Sequence, residues 1–200
     1  MKCGAPPLIL VNVKATWGFR ASAGRVLAQA SRQRLKKLAE RIDALAKKDE
    51  TVIRRAREIG SLRRQAALEL HGACADFVRE LNALLSAPAL TLDPGEYEPA
   101  QFQERAANLF QINARGRIVQ IKFEATPELM STEDFRIPYI LSGAVRCFNQ
   151  QLLEQDLIEE QLLFYTLEKA RYMWRFFDPR THRSGRVDTD YLASLLEQLV

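Results

Sequence analysis

The chain has 200 residues, 47% of them apolar, enough to bury one or two ordinary cores without disulfide or metal staples. Cys3, Cys74 and Cys147 stand far apart with no CxxC, and His71 and His182 are the only histidines, which disfavours a disulfide framework, a zinc site and most histidine-based catalysis; a cytoplasmic location fits best. The net charge of +4 conceals an asymmetry: residues 20–64 hold fourteen Lys or Arg against five acids, whereas residues 65–200 hold thirteen against twenty.

A basic front half joined to an acidic rear half points to an arm that meets a polyanion or an acidic surface. Residues 1–22 read as an N-terminal tail or short strand. Lys2, the apolar run 6–13 and Ala21-Ser22-Ala23 loosely imitate a secretion leader. The run is short, contains Asn12 and is followed by Lys14 and Arg20, so a tail or a strand over 8–13 is the simpler expectation. No stretch approaches the ~20 apolar residues that cross a bilayer, and no membrane association is expected.

Residues 23–87 form a basic coiled-coil arm in this reading. No proline occurs from Arg25 to Leu85, and Leu35, Leu38, Ile42 and Leu45 recur with the alternating spacing of a heptad. The register continues through Val52, Ala56, Ile59, Ala66, Leu70, Ala73 and Phe77, with Asp49 and Arg63 as polar a positions. Two geometries fit: one long helix, or a helical hairpin turning at Lys47-Lys48-Asp49-Glu50-Thr51 with Asp49 as a cap. The unbroken register favours the helix, and the local charge cluster favours the hairpin by a small margin. Either way the seam needs a partner, from a second arm or another subunit.

Residues 88–200 read as an acidic α+β domain. Pro99 opens a short helix through Asn108. Strands at 109–113 and 117–123 flank a turn in which Gly116 supplies a positive φ, and strands at 137–141 and 144–148 flank Ser142-Gly143. Residues 150–169 carry a helical stripe, residues 172–177 return to a strand, and residues 189–200 close with a helix capped by Asp188. The fold class expected is therefore α+β: a long basic coiled-coil helix or helical hairpin, then an antiparallel sheet covered by helices.

Candidate contacts follow from this layout. Arg54, Arg55, Arg57, Arg63 and Arg64 cluster on the arm with little acidic compensation, and a phosphate backbone would relieve their repulsion. Residues 172–186 add aromatics and further arginines; Tyr172 and Trp174 share one strand face and are candidate base-stacking platforms, with Arg175, Arg180, Arg183 and Arg186 as phosphate contacts. The plainer alternative is that these aromatics are core and the arginines pair with carboxylates.

Enzyme signals are thin. Counting from Asp178 places Arg183 where an EF-hand needs glycine, and Asp178, His182 and Ser184 share a loop without a nucleophile elbow. Glu124, Glu128, Glu133 and Asp134 are more simply a solvated acidic loop than a magnesium site. No P-loop or GxGxxG occurs, and no cofactor or catalytic residue is expected. His71 reads as a polar residue flanking the seam, and Cys74 and Cys147 as small buried hydrophobes. The leading expectation is a non-enzymatic nucleic-acid-associated or assembly protein acting through its arm, with homo-oligomer or protein contacts along the coiled coil. Its rivals are a structural scaffold or dimer whose arm docks an acidic protein surface, and an enzyme with an unrecognised site.

Overall fold

The computed structural model describes residues 17–133, 135–155, 158–168 and 171–200, with side chains from residue 32 onward. The strand expected over 8–13 lies outside the described residues. Among the described residues the fold is α+β: helix α1 (Trp17–Leu84) precedes seven antiparallel strands and two shorter helices.

Helix α1 runs without interruption through residues 47–51. The hairpin expected there does not form. The segment contains no Gly or Pro, and Lys, Asp, Glu and Thr on an exposed helix face are solvated without breaking it. Thr51 Oγ1 donates to the Lys47 carbonyl at 3.0 Å, a bond made inside the helix.

The chain divides into two compact units, Met1–Arg55 and Ala56–Val200. In the second unit β1 (Leu90–Asp93), β2 (Asn108–Ala114), β3 (Arg117–Met130), β4 (Tyr139–Phe148), β5 (Glu159–Glu168), β6 (Arg171–Asp178) and β7 (Arg183–Arg186) pair in sequence order. Each strand joins its predecessor as an up-and-down meander, so every pairing is local in the chain. The β2–β3 turn places Arg115 at φ 53° and Gly116 at φ 87°, the left-handed pair that a two-residue hairpin requires.

Period-two alternation sends Phe110, Ile112, Val119, Ile121, Phe123, Leu141, Val145, Leu163, Tyr165 and Trp174 to one sheet face. That face meets Ala66, Ala67, Leu70, Cys74, Phe77 and Val78 of α1 and Tyr191, Leu192, Leu195 and Leu196 of α3 (Thr189–Glu197) in one core. The Asp188 carboxylate accepts from the Tyr191 N–H at 3.0 Å and caps α3 as expected. On the opposite face Phe135, Tyr139, Phe164 and Phe177 form a smaller apolar cluster.

Three expected elements differ. Ser142-Gly143 is not a turn: β4 passes straight through it, with Gly143 opposite Phe123. A Cβ on Gly143 would stand 2.7 Å from Phe123 Cα, so this glycine permits close strand approach. Residues 150–169 hold a one-turn helix α2 (Gln150–Glu154) capped by Asn149, followed by β5. Leu163 and Tyr165 point to the main core while Leu162 and Phe164 serve the outer cluster. Apolar residues on both strand faces imitate a helical stripe. The helix expected over 99–108 is a single 3₁₀ turn (Pro99–Gln101), and Asn108 already belongs to β2.

Candidate functional site: the helical arm

The arm, residues 32–55 of α1, is exposed along nearly its whole length. Its heptad positions carry large apolar side chains that no described residue covers: Leu35 is 62% exposed, Leu38 53%, Ile42 56%, Leu45 58% and Val52 58%. Ile53 beside them is 50% exposed. The same register continued into the second unit is buried, with Ala66 at 0%, Leu70 at 1% and Phe77 at 4%. One sequence pattern thus has two fates. From residue 66 onward the sheet covers it; from 35 to 53 it faces solvent.

Isolated exposed leucines are ordinary on protein surfaces, but an ordered row of six along one helix face is not. Among the described residues this is the longest apolar stripe left open. It coincides with the region of greatest positive charge, since Arg32, Arg34, Lys36, Lys37, Arg41, Lys47, Lys48, Arg54 and Arg55 are all exposed on the same stretch.

The individual contact candidates separate into groups. Arg54, Arg55 and Arg57 lie exposed on α1. Arg63 is buried: its Nε donates to the Ile140 carbonyl at 3.2 Å, one amino group bonds Glu104 Oε2 at 3.0 Å, and the other donates to the Thr126 carbonyl. Arg64 is half exposed, 4.0 Å from the second oxygen of Glu104. Arg63 therefore fastens α1 to β3 and β4 and offers no surface cation.

Trp174 lies in the core, with its indole N–H donating to the Ala66 carbonyl at 2.7 Å and its ring centroid 5.3 Å from both Phe123 and Tyr165. Tyr172 is half buried and stacks on Tyr165 at 5.8 Å. The aromatic face that promised a stacking platform is the face that packs on α1.

The rear arginines occupy the opposite side or the final hairpin. Arg175 pairs with Glu168 and reaches Ser184 Oγ at 3.4 Å. Arg186 stands directly opposite Arg175 across the β6–β7 ladder. With Arg171, Glu168 and Met173 they border a hollow of about 440 Å³. Arg180 grips both oxygens of Glu159 and also bonds Asp178, while Arg183 is exposed opposite Asp178. Hydrogen bonding from Arg180 holds the Glu159 carboxyl below its usual range. The Arg180 backbone N–H, helped by Thr181 and by the Arg180 charge, does the same for Asp178. Asp178 thus organises a structural turn.

Other chemistry-bearing groups are equally engaged. His71 is buried, with Nε2 2.8 Å from the Pro94 carbonyl and its ring stacked on Tyr97. Burial pushes the Cys74 thiol up to about 12, and burial beside Glu159 pushes Cys147 up to about 12 as well. Glu124 and Glu128 sit exposed on β3, and no cluster suited to a metal ion occurs among the described residues. A groove of about 510 Å³ crosses the outer sheet face between Lys122, Glu124, Ser142 and the Phe135–Phe164 stack. No sequence pattern marked it, because its lining comes from four separate strands and the loop that carries Phe135.

The described helices include none long and apolar enough to cross a membrane. Comparison with known proteins finds no family model, no curated protein and no solved structure that matches this chain.

Proposed function

We propose that the protein is a non-enzymatic assembly protein whose helical arm docks another polypeptide along its apolar stripe. The observation that carries this reading is the exposed row Leu35, Leu38, Ile42, Leu45, Val52 and Ile53. Covering one such side chain contributes roughly 1.5 to 3 kcal/mol when burial is complete. Six of them along one face represent a large unclaimed association energy, which a facing helix collects by inserting its own side chains between them. A phosphate backbone offers no apolar surface and leaves the row wet. Arg175 and Arg180 are already paired with carboxylates and Trp174 is packed in the core, so these three groups are poorly placed to serve a nucleic-acid partner.

The basic excess of the arm keeps nucleic acid as a second reading, because exposed Arg54, Arg55 and Arg57 with the neighbouring lysines supply a sequence-independent phosphate affinity. One experiment compares the two on the full-length chain. An amphipathic zipper peptide and a fluorescent duplex are titrated against it and against the Leu38→Asp/Ile42→Asp variant. Docking predicts peptide binding that the variant loses. The nucleic-acid reading predicts duplex binding that the variant keeps, with a log-log salt slope of about −0.9 per neutralised phosphate.

A further inference from the structure

The flanking charges of the arm discriminate among possible occupants of its stripe. We propose that residues 35–53 seat one helix of a different polypeptide, a helix whose apolar seam is flanked by Asp or Glu, and not a second copy of this chain. This rests on the docking function above and specifies the partner's chemistry.

With Leu35 at a, the g positions are Arg34, Arg41, Lys48 and Arg55, basic at every heptad. The e positions between them are Ala39, Ala46 and Ile53, none charged. All seven are exposed. Asp49 occupies an a position in the middle of the seam.

Pairing geometry converts this pattern into a selection rule. In an antiparallel pair of identical arms g residues face g residues. Centring the two stripes would set Arg34 against Arg55 and Arg41 against Lys48, with like charges along the entire edge. In a parallel pair g faces e, where alanine and isoleucine give no attraction, and a faces a. The two Asp49 carboxylates would then meet inside the seam, where paired like charges are costly. Self-association thus meets electrostatic opposition in either orientation. A helix with acids at its flanking positions relieves the g row whichever way it runs. A basic or amide residue opposite Asp49 gives that carboxylate a partner. On the other edge, Ala39 and Ala46 leave room for close approach and Ile53 widens the apolar contact.

The test uses the full-length chain and three probes. These are a synthetic four-heptad peptide with Leu at a and d and Glu at e and g, its counterpart with Lys at e and g, and a duplex oligonucleotide. Light scattering of the chain alone is expected to give a monomer. The Glu peptide is expected to bind about 10- to 1000-fold more tightly than the Lys peptide, the range given by four flanking pairs switched from repulsion to attraction. That ratio should shrink as salt rises. Arg34→Glu/Arg41→Glu/Lys48→Glu/Arg55→Glu should invert the preference with circular dichroism unchanged.

A stable dimer of the chain alone, dissociated by Leu38→Asp/Ile42→Asp, would make a second copy the occupant and overturn the proposal while leaving docking intact. Equal binding of the Glu and Lys peptides would overturn it in the same way. Binding of neither peptide without self-association would remove the docking function itself, and duplex binding in that case would assign the arm to nucleic acid.

Discussion

Arg55 and Arg63 sit eight residues apart on one helix and carry the same side chain into opposite circumstances. Arg55 is exposed on the arm, whereas Arg63 is buried and bonded to Glu104 and two carbonyls. Arg63→Ala strands those partners and should cost about 2 to 4 kcal/mol in urea unfolding, while Arg55→Gln should stay within about 0.5 kcal/mol. Trp174→Phe keeps a ring in the core but loses the bond to the Ala66 carbonyl, an expected cost of about 1 to 2 kcal/mol in the same assay. The buried thiols give a pH test. Folding keeps Cys74 and Cys147 neutral up to about 12, while the unfolded thiols ionise near 9. The folded state then binds the extra protons, so this contribution to stability is complete below pH 9 and disappears as pH rises toward 12. Unfolding midpoints measured from pH 8 upward should fall, and more steeply than for Cys74→Ala/Cys147→Ala; parallel curves would contradict the burial.

Among elements, α1 was the most legible in sequence, because a proline-free heptad run admits little except helix. Its continuity past residue 49 was less so, since a charge cluster resembles a turn until its surroundings are known. The aromatic strand, the capped final helix and the Gly116 hairpin carried local signals that tertiary contacts did not override. Ser142-Gly143 misled because a glycine needed for close strand approach looks like a turn residue. β5 misled because both its faces are apolar. The apolar a and d positions of the arm are readable, and the core alternative for Trp174 is the one that forms, but the burial of Arg63 as a tie to β3 and β4 is not legible, since contact with a distant strand leaves no local mark. The two fates of the heptad stripe give the element-scale prediction. Leu70→Ala opens a void under the sheet and should cost about 2 to 5 kcal/mol. Leu38→Asp/Ile42→Asp should change the unfolding free energy of the chain alone by less than about 0.5 kcal/mol, since those side chains already face water. A large loss of helicity in that double variant would mean that the stripe is already covered in the isolated chain.

At the scale of the whole molecule, the meander and residues 66–78 of α1 share one core, with the strands paired in sequence order, and the arm is the part with apolar surface left to offer. A fragment of residues 56–200 contains both layers of the core and should fold alone. A fragment beginning at 89 lacks Ala66, Leu70 and Phe77, bares the apolar sheet face and should aggregate. Hydrogen exchange of the full chain, with and without the acidic zipper peptide, examines the docking of the arm most directly. Exposed helical amides with few packed neighbours open readily, so segments within residues 35–53 should exchange early in the free chain and become strongly protected on adding the peptide, with the sheet unchanged. Protection confined to the outer sheet groove, or none along the arm, would contradict the assignment of the arm as the docking element.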